Sequence, residues 1–181
     1  MREERTIESE RIYKGREVGL RLDKIVLPGG RKTTREVVEH VDCVAIVALD
    51  SEDNVLLVRQ FRHPAGRVLL EIPAGGIDPG EEPSDSAIRE LEEETSYHAQ
   101  KLERLGGFYS SPGFCTEYLH LFLATELEEC RRSADEDEIT EVVAIPLREI
   151  PSLIASGEIC DAKSIAGLLR ILLRKSSLKG H

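Results

Sequence analysis

Residues 75–97 constrain this chain more than any other stretch. Glu81, Glu82, Asp85, Glu90, Glu92, Glu93 and Glu94 crowd into it beside a single basic residue, Arg89. Ala87, Ile88, Leu91 and Thr95 recur at helical spacing, which predicts a helix with one face for a core, and Pro83 suits its first turn. Glu90, Glu93 and Glu94 stand at i, i+3 and i+4, so their carboxylates share a second face one turn deep. Like charges at that spacing destabilise a helix unless a cation sits among them. Hard oxygen ligands in a group of three suit Mg²⁺ or Mn²⁺, which also take phosphate oxygens. Taken alone, such a triplet is better read as a solvated acidic face.

The wider spacing reverses that preference. Gly75, five residues, Glu81, seven residues, then Arg89-Glu90-Leu91-Glu92-Glu93-Glu94, with Tyr97 as the closing apolar residue, resembles the signature box of the Nudix hydrolases. Ser96 stands where that box has glycine. A glycine there ends the helix in a left-handed conformation, which serine adopts at a cost of roughly 1 kcal/mol. Every carboxylate of the box is in place. The resemblance implies an α/β fold, the Nudix α/β/α sandwich around a mixed sheet.

A chain of 181 residues, 40% apolar and 32% charged, is expected to form one soluble globular domain or one with a short appendage. The formal charge of −10 argues against nucleic acid and anionic membrane as partners. An acidic protein handling a phosphate substrate needs a cation between the two. No apolar run approaches the ~20 residues of a membrane span, and the charged N-terminus does not read as a signal peptide, so the expectation is cytoplasmic. Cys43, Cys115, Cys130 and Cys160 have no paired metal spacing and are expected to be reduced, buried thiols.

Along the chain, residues 1–8 are expected to fray. Residues 9–13, 18–26 and 34–40 read as three strands, with a turn at Pro28-Gly29-Gly30. This small antiparallel ribbon, residues 1–40, is too poor in apolar surface to stand alone, so it must lie on the main body or on another subunit. The resemblance implies exchange between two subunits, and the ribbon is assigned on that ground as a dimerisation element. The main domain, residues 41–181, opens with 41–49, an apolar strand buried on both faces. Strands follow at 55–61 and 69–73, then the loop Ala74-Gly75-Gly76 and the acidic helix. Further strands are expected at 101–108, 118–124 and 141–145, with a polar connector at 126–138. A short helix at 147–156, capped by Gly157, precedes a last helix at 162–175. Asp161 caps that helix, and Ile165, Leu168, Leu169 and Leu172 form its packing stripe.

Outside the box, Val58-Arg59-Gln60-Phe61-Arg62, Leu70-Glu71-Ile72-Pro73-Ala74-Gly75, and Ser111-Pro112-Gly113 followed by Glu117 are similar to the ADP-ribose pyrophosphatase branch. So are Asp135-Glu136-Asp137-Glu138, Gly157-Glu158-Ile159 and Asp161-Ala162-Lys163. Pro112 lies about fifteen residues past the box, the pattern of ADP-sugar substrates in the family. The resemblance implies Mg²⁺-dependent hydrolysis of ADP-ribose, or a related nucleoside diphosphate sugar, to AMP and ribose 5-phosphate, by a homodimer. Mn²⁺ is the alternative metal, and GDP-mannose the alternative substrate. A non-catalytic nucleotide-sugar sensor is disfavoured, because such a protein is free to lose Arg89, Glu90, Glu93 or Glu94, and all four are present.

Roles follow residue by residue. Glu90 and Glu94 are expected to hold metal directly, Glu93 directly or through water, and the carbonyl of Ala74 as a further ligand. Arg89 is placed to orient the glutamates. The general base is sought in the acidic loop, where the resemblance favours Glu138 over Glu136; the alternative reading of that loop is a disordered acidic connector, and the alternative base is Glu93 acting through its water. Arg62 is read as a diphosphate contact, with an ordinary surface arginine as the alternative. Glu71 ends a strand or serves the site with equal weight. Glu117 contacts the second ribose by resemblance, or is a loop carboxylate. Arg35 either pairs with Glu39 or reaches a nucleotide across the dimer. His40, His63, His98 and His120 show no ligand spacing and are read as structural.

Overall fold

The computed structural model describes residues 3–130 and 141–178. Two compact units form, the first within residues 1–42 and 109–118, the second within residues 43–108 and 119–181.

In the first unit, β1 (Arg5–Lys14), β2 (Val18–Val26) and β3 (Lys32–His40) make an antiparallel sheet in that order. The strand expected to start at residue 9 starts at Arg5, because Arg5 and Thr6 find partners in Val26 and Ile25. Gly29 and Gly30 turn β2 into β3 with φ of 109° and 89°, values that demand glycine. Every residue of β1 is exposed, and Ile25 is the strands' buried apolar side chain. Residues 110–117 lie along β3, with Val38 N–H donating to Phe114 O at 2.7 Å and Thr116 N–H to Val38 O at 3.0 Å.

The second unit is a seven-stranded sheet with helices on both sides. Its elements are β4 (Cys43–Leu49), β5 (Asn54–Arg62), β6 (Arg67–Glu71), β7 (Ala74–Gly76), α1 (Pro83–Thr95), β8 (Tyr97–Tyr109), β9 (Tyr118–Glu129), β10 (Glu141–Pro146), α2 (Ile150–Ser156) and α3 (Ala162–Leu178). The order is β10-β5-β4-β9-β8, with β6 on β5 and β7 on β4. Strand β4 runs parallel to β9 and antiparallel to β5, so the sheet is mixed. All seven residues of β4 are buried, and their alternation builds two cores. Ala45, Val47 and Leu49 pack with Ile150, Leu168 and Ile171, whereas Val44, Ile46 and Ala48 pack with Ala87 and Leu91. Side chains alternate across a strand, so one apolar run supplies both layers of the expected sandwich.

Four local expectations need correction. Ala74-Gly75-Gly76 is not a loop but a short strand, because Cys43, Val44 and Ala45 offer it a ladder. Strand β9 runs on to Glu129, into the stretch expected to be a connector. On α3, Leu169 is 42% exposed and Ile171 takes the core position, so the stripe is shifted by packing. Of the cysteines, Cys43 is buried but Cys160 is exposed.

Candidate active site

Helix α1 is built as its sequence asks. Ala87, Leu91 and Thr95 are buried on one face, and Pro83 opens the first turn. Ser96 ends the helix in the left-handed region at φ 59°, ψ 31°, with its N–H donating to Glu92 O at 2.9 Å. The other face gathers the carboxylates around Arg89. Its Nε and Nη2 both donate to Glu81, at 2.9 Å each, a forked pair. Its Nη1 donates to Glu90 Oε1 at 2.6 Å and Glu93 Oε2 at 3.0 Å. Nη2 also reaches Gly76 O at 3.0 Å and thereby ties the strand before the helix to the helix itself. The Arg89 guanidinium holds the Glu81 carboxyl down at about 2, and Glu81 in turn raises Arg89 above its ordinary value.

Strand β7 closes the site from the other side. Ala74 N–H donates to Glu94 Oε2 at 3.0 Å, and Glu94 is buried. Gly75 lies flat against Glu90: a Cβ there would stand 2.1 Å from the Glu90 carboxyl carbon. A side chain at this position would push the Glu90 carboxylate away from its place beside Arg89. Glu90, Glu93 and Glu94 thus converge with the backbone of residues 74–76. One guanidinium cannot neutralise Glu81, Glu90 and Glu93 together, and the donor set is hard oxygen throughout. That chemistry fits a divalent cation of the Mg²⁺ or Mn²⁺ kind, which Glu90, Glu93 and Glu94 could hold, with the Ala74 carbonyl the further ligand expected from sequence.

A second charged cluster sits three residues upstream. Glu71, 2% exposed, accepts Arg62 Nε at 3.0 Å and Nη2 at 2.7 Å. Lys163 Nζ donates to the same carboxylate oxygen at 2.8 Å and to Asp161 Oδ1 at 3.1 Å. Asp161 also caps α3, accepting Ser164 N–H at 3.1 Å. A carboxylate this buried is tolerated where it is paired and hydrogen-bonded in this way. Lys163 and Ser164 were assigned no role from sequence, since their partners lie 92 residues away. The Asp-Ala-Lys run and the cap it forms were the available signal.

Comparison with known proteins settles the family. The family model for the NUDIX domain matches residues 39–168. The chain belongs to the Nudix family. An ADP-ribose pyrophosphatase of Bacillus subtilis is 43% identical over 96% of this chain and 95% of its own length. A methanol dehydrogenase activator of Bacillus methanolicus is 38% identical over the same shares. Among solved structures, one titled as an ADP compounds hydrolase superposes with a TM-score of 0.87, covering 99% of this chain and 96% of that one at 23% identity, a likeness of fold.

The Nudix box residues and Ala74 are therefore together in the second unit, as are Arg62 and Glu71. Arg35 and Glu117 belong to the first unit. Arg35 pairs with Glu4 at 2.7 Å rather than with Glu39, which takes Arg21 at 2.6 Å. Glu117 Oε1 stands 3.8 Å from His40 Nδ1. Glu136 and Glu138 lie outside the described residues. His98 pairs with Glu92 and His120 with Arg104.

Proposed function

We propose that this Nudix hydrolase cleaves the diphosphate of ADP-ribose, giving AMP and ribose 5-phosphate, with Mg²⁺ as the working metal and Mn²⁺ able to replace it. The observation that carries the reading is the carboxylate set of Glu90, Glu93 and Glu94 on one face of α1, aligned by Arg89 and closed by β7. Identity of 43% with an ADP-ribose pyrophosphatase over nearly the full length of both chains supports the substrate. A bound divalent cation would neutralise the diphosphate oxygens and lower the pKa of the attacking water. The protein's part is to fix three carboxylates at once, and Arg89 does so through two of them. Arg62, anchored by Glu71, is assigned to the diphosphate, and Glu117 to the second ribose. Glu138 is assigned as the general base, with Glu136 beside it.

We also propose a homodimer joined through the N-terminal ribbon, with Arg35 contributed to the partner's site. Exposure of Ile7, Ile12 and Tyr13 along β1 supports it. The test of function is a panel of ADP-ribose, GDP-mannose and other nucleoside diphosphate sugars, assayed with Mg²⁺ for release of the nucleoside monophosphate. ADP-ribose is expected to give the highest kcat/KM. Preference for GDP-mannose would overturn the substrate, and no turnover of any member with either metal would overturn the enzyme reading.

A further inference from the structure

The four residues that lead into the site, Glu71 to Ala74, change partners as they go. Strand β6 ends on β5 with Glu71 opposite Val58, and β7 begins on β4 with Ala74 opposite Ala45. Ile72 and Pro73 belong to neither ladder. Their backbone is held instead by single contacts from other elements. Pro73 has no N–H to satisfy, and its carbonyl accepts Ile46 N–H at 2.9 Å. Ile72 is fully buried, and its N–H donates to Ser164 Oγ at 2.9 Å, itself fully buried. Glu71 is gripped by Lys163. Both contacts from α3 come from its first turn. One turn on, Gly167 lets the helix settle on the same residue: a Cβ there would stand 3.1 Å from Ile72 Cδ1.

Beyond Ala74 come Gly75 and Gly76, which have no side chains to anchor them and lose the most backbone freedom on folding. The Ala74–Gly76 backbone is held by its ladder with β4 and by Arg89 on Gly76 O, and on its N-terminal side by the residues before it. We propose that Ser164 and Lys163 are positioning residues for the cation site: the first turn of α3 holds Glu71 and Ile72 and, with them, the approach of Ala74 to Glu94. This rests on the reading of Glu90, Glu93 and Glu94 as the cation site. Neither residue touches those carboxylates in any contact described above. Their effect travels through one backbone group, the Ile72 N–H, and one buried carboxylate, Glu71, as outer partners of metal ligands commonly act.

The test is Mn²⁺ binding to the full chain without substrate, by calorimetry, beside thermal unfolding. Ser164→Ala and Lys163→Met are each expected to weaken Mn²⁺ binding about tenfold or more, the usual effect of losing an outer partner. Lys163→Arg restores a cation to Glu71 and is expected to recover most of that loss. Ile150→Ala, a packing change in α2, is expected to lower the Tm at least as far while leaving Mn²⁺ binding at the wild-type value. Wild-type Mn²⁺ binding in folded Lys163→Met overturns the proposal, whether or not Ser164→Ala folds. So does an equal loss in Ile150→Ala, which would mean that any destabilisation loosens the site. Glu94→Gln separates the two levels. If it binds Mn²⁺ like the wild type, the cation-site reading is wrong and the proposal falls with it. If it fails to bind while Ser164→Ala and Lys163→Met bind normally, the reading stands and α3 has no part in it.

Discussion

Arg89 touches Glu81, Glu90 and Glu93, and the three contacts have different consequences. The Glu81 pair is forked and closes the segment before the helix, so its loss is felt in stability. Glu81→Gln is expected to cost about 1–3 kcal/mol, the range for a partly buried charged hydrogen bond. The carboxyl of Glu81 is depressed from 4.5 to about 2, so its stabilising share is fully present above 4.5 and fades as pH falls towards 2. Chemical denaturation across that window should show the gap between wild type and Glu81→Gln closing as pH falls; a constant gap would contradict the pairing. Glu90 and Glu94 answer differently. Glu90→Gln and Glu94→Gln are expected to keep the fold and lose most activity with Mg²⁺, because each removes a charged group from the proposed metal site. Near wild-type turnover in either would remove it from the metal set. For the base, Glu138→Gln is expected to lower kcat by about 10²–10⁴ with little change in KM, and Glu136→Gln to do less. The reverse order would move the base to Glu136.

The end of α1 shows how an element absorbs a departure from its family's pattern. Ser96 holds the left-handed conformation that glycine takes without strain, and it is exposed. Ser96→Gly is expected to stabilise by at most about 0.6 kcal/mol, the strain of roughly 1 kcal/mol less the extra freedom of glycine in the unfolded chain, about 0.4–1 kcal/mol. That corresponds to a Tm higher by at most about 2 °C for a chain of this size, and a clearly lower Tm would contradict it. Such positions were legible because they rest on local rules: helical spacing in α1, the apolar run of β4, the cap at Asp161. What was not legible depends on partners far along the chain. Strand β7 has three residues, two of them glycine, and exists because β4 lies beside it. In α3, Leu168, Leu169, Ile171 and Leu172 offer overlapping faces, and packing alone chose Ile171 over Leu169. The box carboxylates were legible as a group because one helix carries them. The Glu71 cluster was not, since it joins β5, β6 and α3 and has no spacing of its own.

At the scale of the molecule, a net charge of −10 meets a substrate that is also anionic, so a cation between them serves binding as well as chemistry. The ribbon poses the other question at this scale. Strand β1 is ten residues long and exposed throughout, and Ile7, Ile12 and Tyr13 are each more than half exposed. A long edge strand with apolar side chains is a surface that proteins pair or cover, and three small strands alone make a marginal sheet. A second copy of the chain supplies the cover in the proposed dimer, and the exchange would also bring Arg35 to the partner's site. Light scattering at micromolar concentration is expected to give about twice the chain mass of 20.2 kDa. Ile12→Glu places a charge on the paired surface and is expected to shift the protein towards monomer. Activity on ADP-ribose should fall with it if the site is shared, and Arg35→Ala should lower activity while leaving the mass unchanged. A wild-type mass near 20.2 kDa together with full activity would remove both the dimer and the shared arginine.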